Sequence, residues 1–145
     1  MNSYGLIDLH CDTLAEYWKY AHTGNPDTLD DPGRVLSLSN MPKDVHWAQF
    51  YAVFIPDEER GQAAIDYFEK NRANFYRQME KFGDRVAPCR NADDMEKAWA
   101  AGKAAAFLTI ENGSALAGDL SRVHTLAEQG VRAITLTLSL IHISE

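Results

Sequence analysis

Ala104–Ile110 (AAAFLTI) is a near-continuous apolar run whose only side-chain polar group is the Thr109 hydroxyl. It is far shorter than the ~18 apolar residues that cross a bilayer. Such a run is what a strand of a parallel sheet looks like when helices cover both of its faces. The rest of the chain must then supply further apolar strands, and helices with one apolar stripe.

It does so in alternation. Tyr4–Leu9 reads as a short buried strand. Thr13–His22 has helical composition, with Leu14, Tyr17, Trp18 and Ala21 on one face. Thr23–Pro32 is a loop rich in Gly, Pro, Asn and Asp, and Gly33–Pro42 is irregular. Trp47–Ile55 is aromatic and β-branched enough for a second strand, closed by Pro56-Asp57. Glu58 and Glu59 stand where a helix N-terminus favours negative charge. The spacing of Ile65, Phe68, Phe75, Met79 and Phe82 predicts a long helix over Glu59–Phe82, with Gly83 as the residue that ends it. Val86–Cys89 is a short extended piece. Asn91, with Asp94 three residues on, caps a helix whose stripe is Met95, Ala98 and Trp99 and which stops at Gly102. After the Ala104–Ile110 strand come a helix over Leu120–Gln129, a glycine stop at Gly130 and a strand over Val131–Leu136. Strands alternating with amphipathic helices give an α/β fold with a parallel sheet.

Composition narrows the function. The 145 residues carry 21 acidic and 14 basic side chains, a net charge of −7, so there is no basic face for nucleic acid. The N-terminus has neither the basic nor the apolar segment of a secretory signal. Two cysteines, Cys11 and Cys89, build no disulfide scaffold and no zinc finger. A cytoplasmic protein without membrane or nucleic-acid partners is expected. There is no phosphate-cradling glycine loop, and Ser114 lies in no G-x-S-x-G elbow.

Chemistry concentrates at two strand ends. In an extended chain residues two apart share a side, so Asp8, His10 and Asp12 line one face where the first strand ends, and Leu9 and Cys11 point into packing. An imidazole beside a carboxylate is a common divalent-metal arrangement, and Asp8 stands behind to orient a ligand. Cys11 is read as a small buried side chain. Glu111 directly follows the Ala104–Ile110 strand, the edge where functional groups of parallel α/β proteins gather, and Gly113 lets the backbone turn past it.

The segment Asp8-Leu9-His10-Cys11-Asp12-Thr13 resembles the amino-terminal metal motif of the membrane dipeptidase (renal dipeptidase-like) family of zinc metallopeptidases. The resemblance continues through Ala48–Phe54, through Asp93–Glu96 to Ala104–Leu108 ahead of Glu111, and through Gly130–Thr137. It implies a (β/α)8 TIM-type barrel, of which this chain is the amino-terminal half with about four strands. A closed barrel takes roughly 250 residues. It further implies a dipeptide substrate and two Zn2+ ions, with His10 and Asp12 on one zinc and Glu111 bridging both. Asn112 stands where a glycine is common in the family. A homodimer is one assembly open to the full-length enzyme.

The family's second metal takes two further histidines and an aspartate from later strands, and none can be assigned here. His22, His46 and His124 are expected to be structural or solvent-facing, and Trp18, Trp47 and Trp99 to pack. The family's substrate-contacting residue after Thr-Leu-Thr is replaced by Leu138. Leu138–Glu145, including His142, look instead like the in-frame translation of a sequencing-library adapter. Residues 1–137 are therefore expected to be the partial barrel domain and 138–145 a non-native tail. Two other readings stay open: a different binuclear amidohydrolase acting on small amides or N-acyl amino acids, and an inactive fragment without catalysis.

Overall fold

The apolar run forms the central strand. In the computed structural model, which describes residues 4–14 and 28–136, five strands run in chain order: β1 (Gly5–Cys11), β2 (His46–Phe54), β3 (Val86–Pro88), β4 (Ala104–Glu111) and β5 (Val131–Thr135). Three helices connect them: α1 (Gln62–Lys81), α2 (Ala92–Ala100) and α3 (Arg122–Glu128). Short 3-10 turns lie at Thr28–Asp30 and Gly113–Leu116. The expected helix over Thr13–His22 beyond Leu14, with Trp18 and His22, lies outside the described residues, as do Leu138 and His142.

All strand pairs are parallel. β4 pairs with β2 from Ala105 to Glu111, and β2 with β1. The other edge of β4 is shared: β3 takes Ala104–Ala106 and β5 takes Leu108–Glu111. Val86–Pro88 is thus a paired strand.

β4 needs no polar face because both its faces are covered. Ala106, Leu108 and Ile110 meet Tyr51 and Val53 of β2 beneath Phe68, Phe75 and Met79 of α1. Burying Phe68 and Phe75 contributes roughly 1.5–3 kcal/mol each. Ala105 and Phe107 face the other way, towards Ala48 and α2, where Ala98 is buried. Phe50 and Phe107 stack there with ring centres 4.6 Å apart, and the Trp99 indole N–H donates to the Trp47 carbonyl at 2.9 Å.

The cap on α2 forms as the sequence predicts. The Asn91 side chain accepts from the Asp94 amide at 2.8 Å, and the Asp94 carboxylate accepts from the Arg90 amide at 2.9 Å. α1 begins three residues later than expected, at Gln62, because Pro56 and Glu59 close a turn (Glu59 N–H to Pro56 O, 3.0 Å). Glu58 and Glu59 therefore lie before the helix, not in its first turn. Gly83 is not in the left-handed region expected of a helix stop. It is there for space: a Cβ would come within 3.2 Å of the Met79 carbonyl and 3.3 Å of the Glu80 carbonyl. α3 begins at Arg122, after the Asp119 carboxylate accepts from the Ser121 amide at 2.9 Å.

Candidate metal centre

β1 and β2 pair regularly up to Asp8 opposite Gln49, but the next paired residues are Cys11 and Tyr51. One extra residue is therefore inserted in β1, a bulge that re-aims the side chains at its carboxyl end. Gln49 is fully buried beside it, and its side-chain amide donates to the Asp8 carbonyl at 3.4 Å.

The bulge brings His10 and Asp12 together, with the imidazole Nε2 3.1 Å from Asp12 Oδ1. β4 delivers the third group: Glu111, in register with Phe54 and Thr135, puts Oε2 3.4 Å from the same Nε2. One donor atom from each of the three lies within 4.8 Å of the others, and no other cluster of this kind forms among the described residues. His10 and Asp12 are open to solvent, at 46% and 60% side-chain exposure, and Glu111 is more enclosed at 21%.

Asp8 touches His10 through its backbone. Its Oδ1 accepts from the His10 amide at 3.1 Å. Leu9 does not point into packing as the alternation predicts: it is 69% exposed, and Leu6 and Ile7 ahead of the bulge are exposed as well. Cys11 does pack against the core. Burial, with lesser effects of Asp8 and Asp12 against hydrogen bonds from Thr13, pushes its thiol up to about 11. His46 sits edge-on to Trp99 with ring centres 5.4 Å apart, at the opposite end of β2. His124 is exposed on α3. Neither joins the cluster, as the sequence predicts.

Behind Glu111 stands a residue that the sequence reveals only as a substitution for glycine. Asn112 has φ 78, and it is buried. Its amide donates to the Ile55 carbonyl (2.8 Å) and to Asp57 Oδ1 (3.1 Å), and it accepts from Ser114 N (3.2 Å) and Ser114 Oγ (2.8 Å). Arg60 completes the group, donating to Ser114 Oγ at 2.7 Å and reaching Asp57 Oδ1 at 3.5 Å. Asp57 and Arg60 carry no motif, so only the folded loops reveal them.

The donor set suits a divalent metal. Tetrahedral zinc with nitrogen and oxygen ligands holds neighbouring donor atoms about 3.4 Å apart, close to the spacings His10 makes with Asp12 and Glu111. One imidazole and two carboxylates favour zinc and its first-row neighbours.

Residues 1–142 match the sequence profile of the membrane dipeptidases, peptidase family M19. The chain belongs to that family. Comparison with curated proteins gives no match. Among solved structures, dipeptidase AC, a metallopeptidase of family M19, is 19% identical with a TM-score of 0.74 over 92% of this chain and 42% of its own. A metallopeptidase from Rhodobacter sphaeroides, liganded with a phosphinate mimic of the dipeptide L-Ala-D-Ala, is 17% identical with a TM-score of 0.74, over 92% and 45%. The probable dipeptidase PvdM from Pseudomonas aeruginosa is 19% identical with a TM-score of 0.71, over 91% and 34%. The M19 chain described here thus has the α/β parallel-sheet fold of part of an M19 TIM barrel and spans less than half the length of each of these relatives.

Proposed function

We propose that this chain is the amino-terminal, metal-binding part of a zinc-dependent dipeptidase, with His10 and Asp12 holding one zinc and Glu111 bridging it to a second. The convergence of three donor atoms from two strand ends within 4.8 Å carries the reading, and membership of M19 supplies the class of reaction. The dipeptide mimic held by the Rhodobacter sphaeroides relative supports the substrate class.

When bound, a metal pair supplies Lewis acidity and makes water a nucleophile at neutral pH. The residues of this chain do the holding. The His10 imidazole offers Nε2, and the Asp8 carboxylate fixes the backbone from which that ring projects. Asp12 and Glu111 contribute two negative charges that offset the cations. With two carboxylate oxygens, Glu111 would be able to hold both metals. Overall, one water is consumed and the peptide bond is cleaved to a free carboxylate and a free amine.

The second zinc's remaining ligands are not found among the described residues, since His46 and His124 lie away from the cluster. The isolated chain is therefore expected to bind one metal ion weakly and to turn over little dipeptide. Equilibrium dialysis with zinc tests the site. His10→Ala should weaken uptake at least tenfold while the circular dichroism spectrum stays unchanged. Full uptake by His10→Ala would sink the assignment. Robust zinc-dependent cleavage of a dipeptide panel by the 145-residue chain would contradict the expectation that it is incomplete.

A further inference from the structure

We infer that Asn112 is the positioning residue for Glu111: its side chain latches the ends of β2 and β4 together and so fixes the carboxylate that reaches His10. The inference rests on the reading of Glu111 as a metal ligand.

Ile55 is the other half of the latch. It follows β2 directly and is fully buried. Its amide donates to the Glu111 carbonyl at 3.0 Å. Its carbonyl accepts from the Asn112 side chain at 2.8 Å. The Glu111 carbonyl and the Asn112 side chain are thereby tied to one residue at the end of the neighbouring strand. On the other side, the Asn112 backbone N–H donates to the Thr135 carbonyl of β5 at 3.1 Å. Glu111 thus projects from a backbone held to both neighbouring strands.

The backbone conformation itself argues that the side chain matters. Asn112 has φ 78 and ψ 113, outside the left-handed helical region where asparagine is tolerated, a conformation readily adopted by glycine and uncommon for other residues. Glycine would satisfy the backbone but would leave four contacts unmade. A primary amide offers two donors and two acceptor positions, and at Asn112 all four are used, by Ile55 O, Asp57 Oδ1, Ser114 N and Ser114 Oγ. Arg60 closes the ring by bonding Ser114 Oγ while reaching Asp57. Groups that orient ligands commonly change metal affinity about 10–100-fold when removed.

The test uses the 145-residue chain and cobalt(II) as probe. Asn112→Gly keeps the backbone free to hold its turn and deletes the amide. Cobalt affinity should fall about tenfold, and the visible absorption of bound cobalt should change as Glu111 loses its fixed direction. Amide hydrogen exchange should speed up over residues 55–57 and 111–116 and nowhere in β2 or β4 before them. Asn112→Asp is the second variant should the glycine form not fold. It keeps the acceptor oxygens, loses both donors and faces Asp57, so it should show the same losses. Phe68→Leu, under α1, lowers thermal stability without touching the latch and should leave cobalt binding and spectrum unchanged. Cobalt affinity and spectrum unchanged in the Asn112 variants would overturn the inference, as would an equal loss in Phe68→Leu. Should the wild-type chain take up no cobalt, the metal reading fails and the exchange pattern alone decides the latch: local acceleration upholds it, and unchanged exchange overturns it.

Discussion

On the proposed metal reading, the Glu111 carboxylate carries most of the chemistry, and its reach is set by charge as well as by position. Glu111→Gln keeps the shape of the side chain and removes its charge. Metal affinity of the cluster should drop at least tenfold while the fold persists, as read by cobalt titration against circular dichroism. At the same scale Gly130 has no freedom to change. Its φ is +105, and a Cβ there would run into the Tyr76 hydroxyl, which donates to the neighbouring Gln129 carbonyl. Gly130→Ala should cost about 1–3 kcal/mol, measured by urea unfolding. Adding Tyr76→Phe should recover only part of it, because removing the hydroxyl relieves the collision and not the backbone strain. Gly130 was legible in the sequence as a glycine after a helix. Tyr76, which closes the position, was not, because α1 and the end of α3 meet only in the folded chain.

Elements differ in how far their own residues define them. The α2 cap is local, so the sequence shows it whole. Asn91→Ala should cost about 1 kcal/mol, read as a lowered urea midpoint. The start of α1 is not local: the residues before it close the turn at Pro56 and engage Ser114, across the site, through Arg60. The turn at Thr28–Asp30 is fastened to the segment entering β3 by two hydrogen bonds from the Arg85 guanidinium to Asp30, at 2.9 and 2.7 Å, with Ser39 adding a third. The Arg85 contact, ahead of opposing desolvation and of the Ser39 bond, holds the Asp30 carboxyl below its ordinary value. A depressed carboxylate adds stability that is complete above the ordinary carboxylate range and is lost as the pH falls through the lowered value. The pair is partly open to solvent, so it is worth about 0.2–1 kcal/mol. Asp30→Asn should therefore be less stable than the wild type at pH 7 and converge with it in acid once the pH has fallen through the lowered value of Asp30, followed by urea unfolding across the acid range.

The molecule as a whole is a parallel sheet whose outermost strands, β1 on one side and β3 and β5 on the other, each have one partner among the described residues. β1 displays Leu6, Ile7 and Leu9, and Leu136 follows β5, also exposed. Exposed apolar side chains on edge strands are sticky. The chain should bind an apolar-surface dye such as ANS at neutral pH, and Leu9→Lys should reduce the signal without changing the secondary structure. The His10–Asp12–Glu111 cluster sits at the carboxyl edge of this sheet, with Glu111 on the face away from α1.

The sequence by itself determined the alternation of strands and helices, the α/β class, and the residue types able to bind a metal. Hydrophobic periodicity, helix caps and the His10-x-Asp12 pattern are written within a few residues of one another. Tertiary structure decided which of these groups meet. Whether Glu111 reaches His10 depends on the register of three parallel strands, and that register is fixed by pairing across the sheet: Phe54 opposite Glu111, and Cys11 opposite Tyr51 after the bulge. The same pairing brought Ile55 against Asn112, because contacts between residues far apart in the chain exist only once the strands between them have docked.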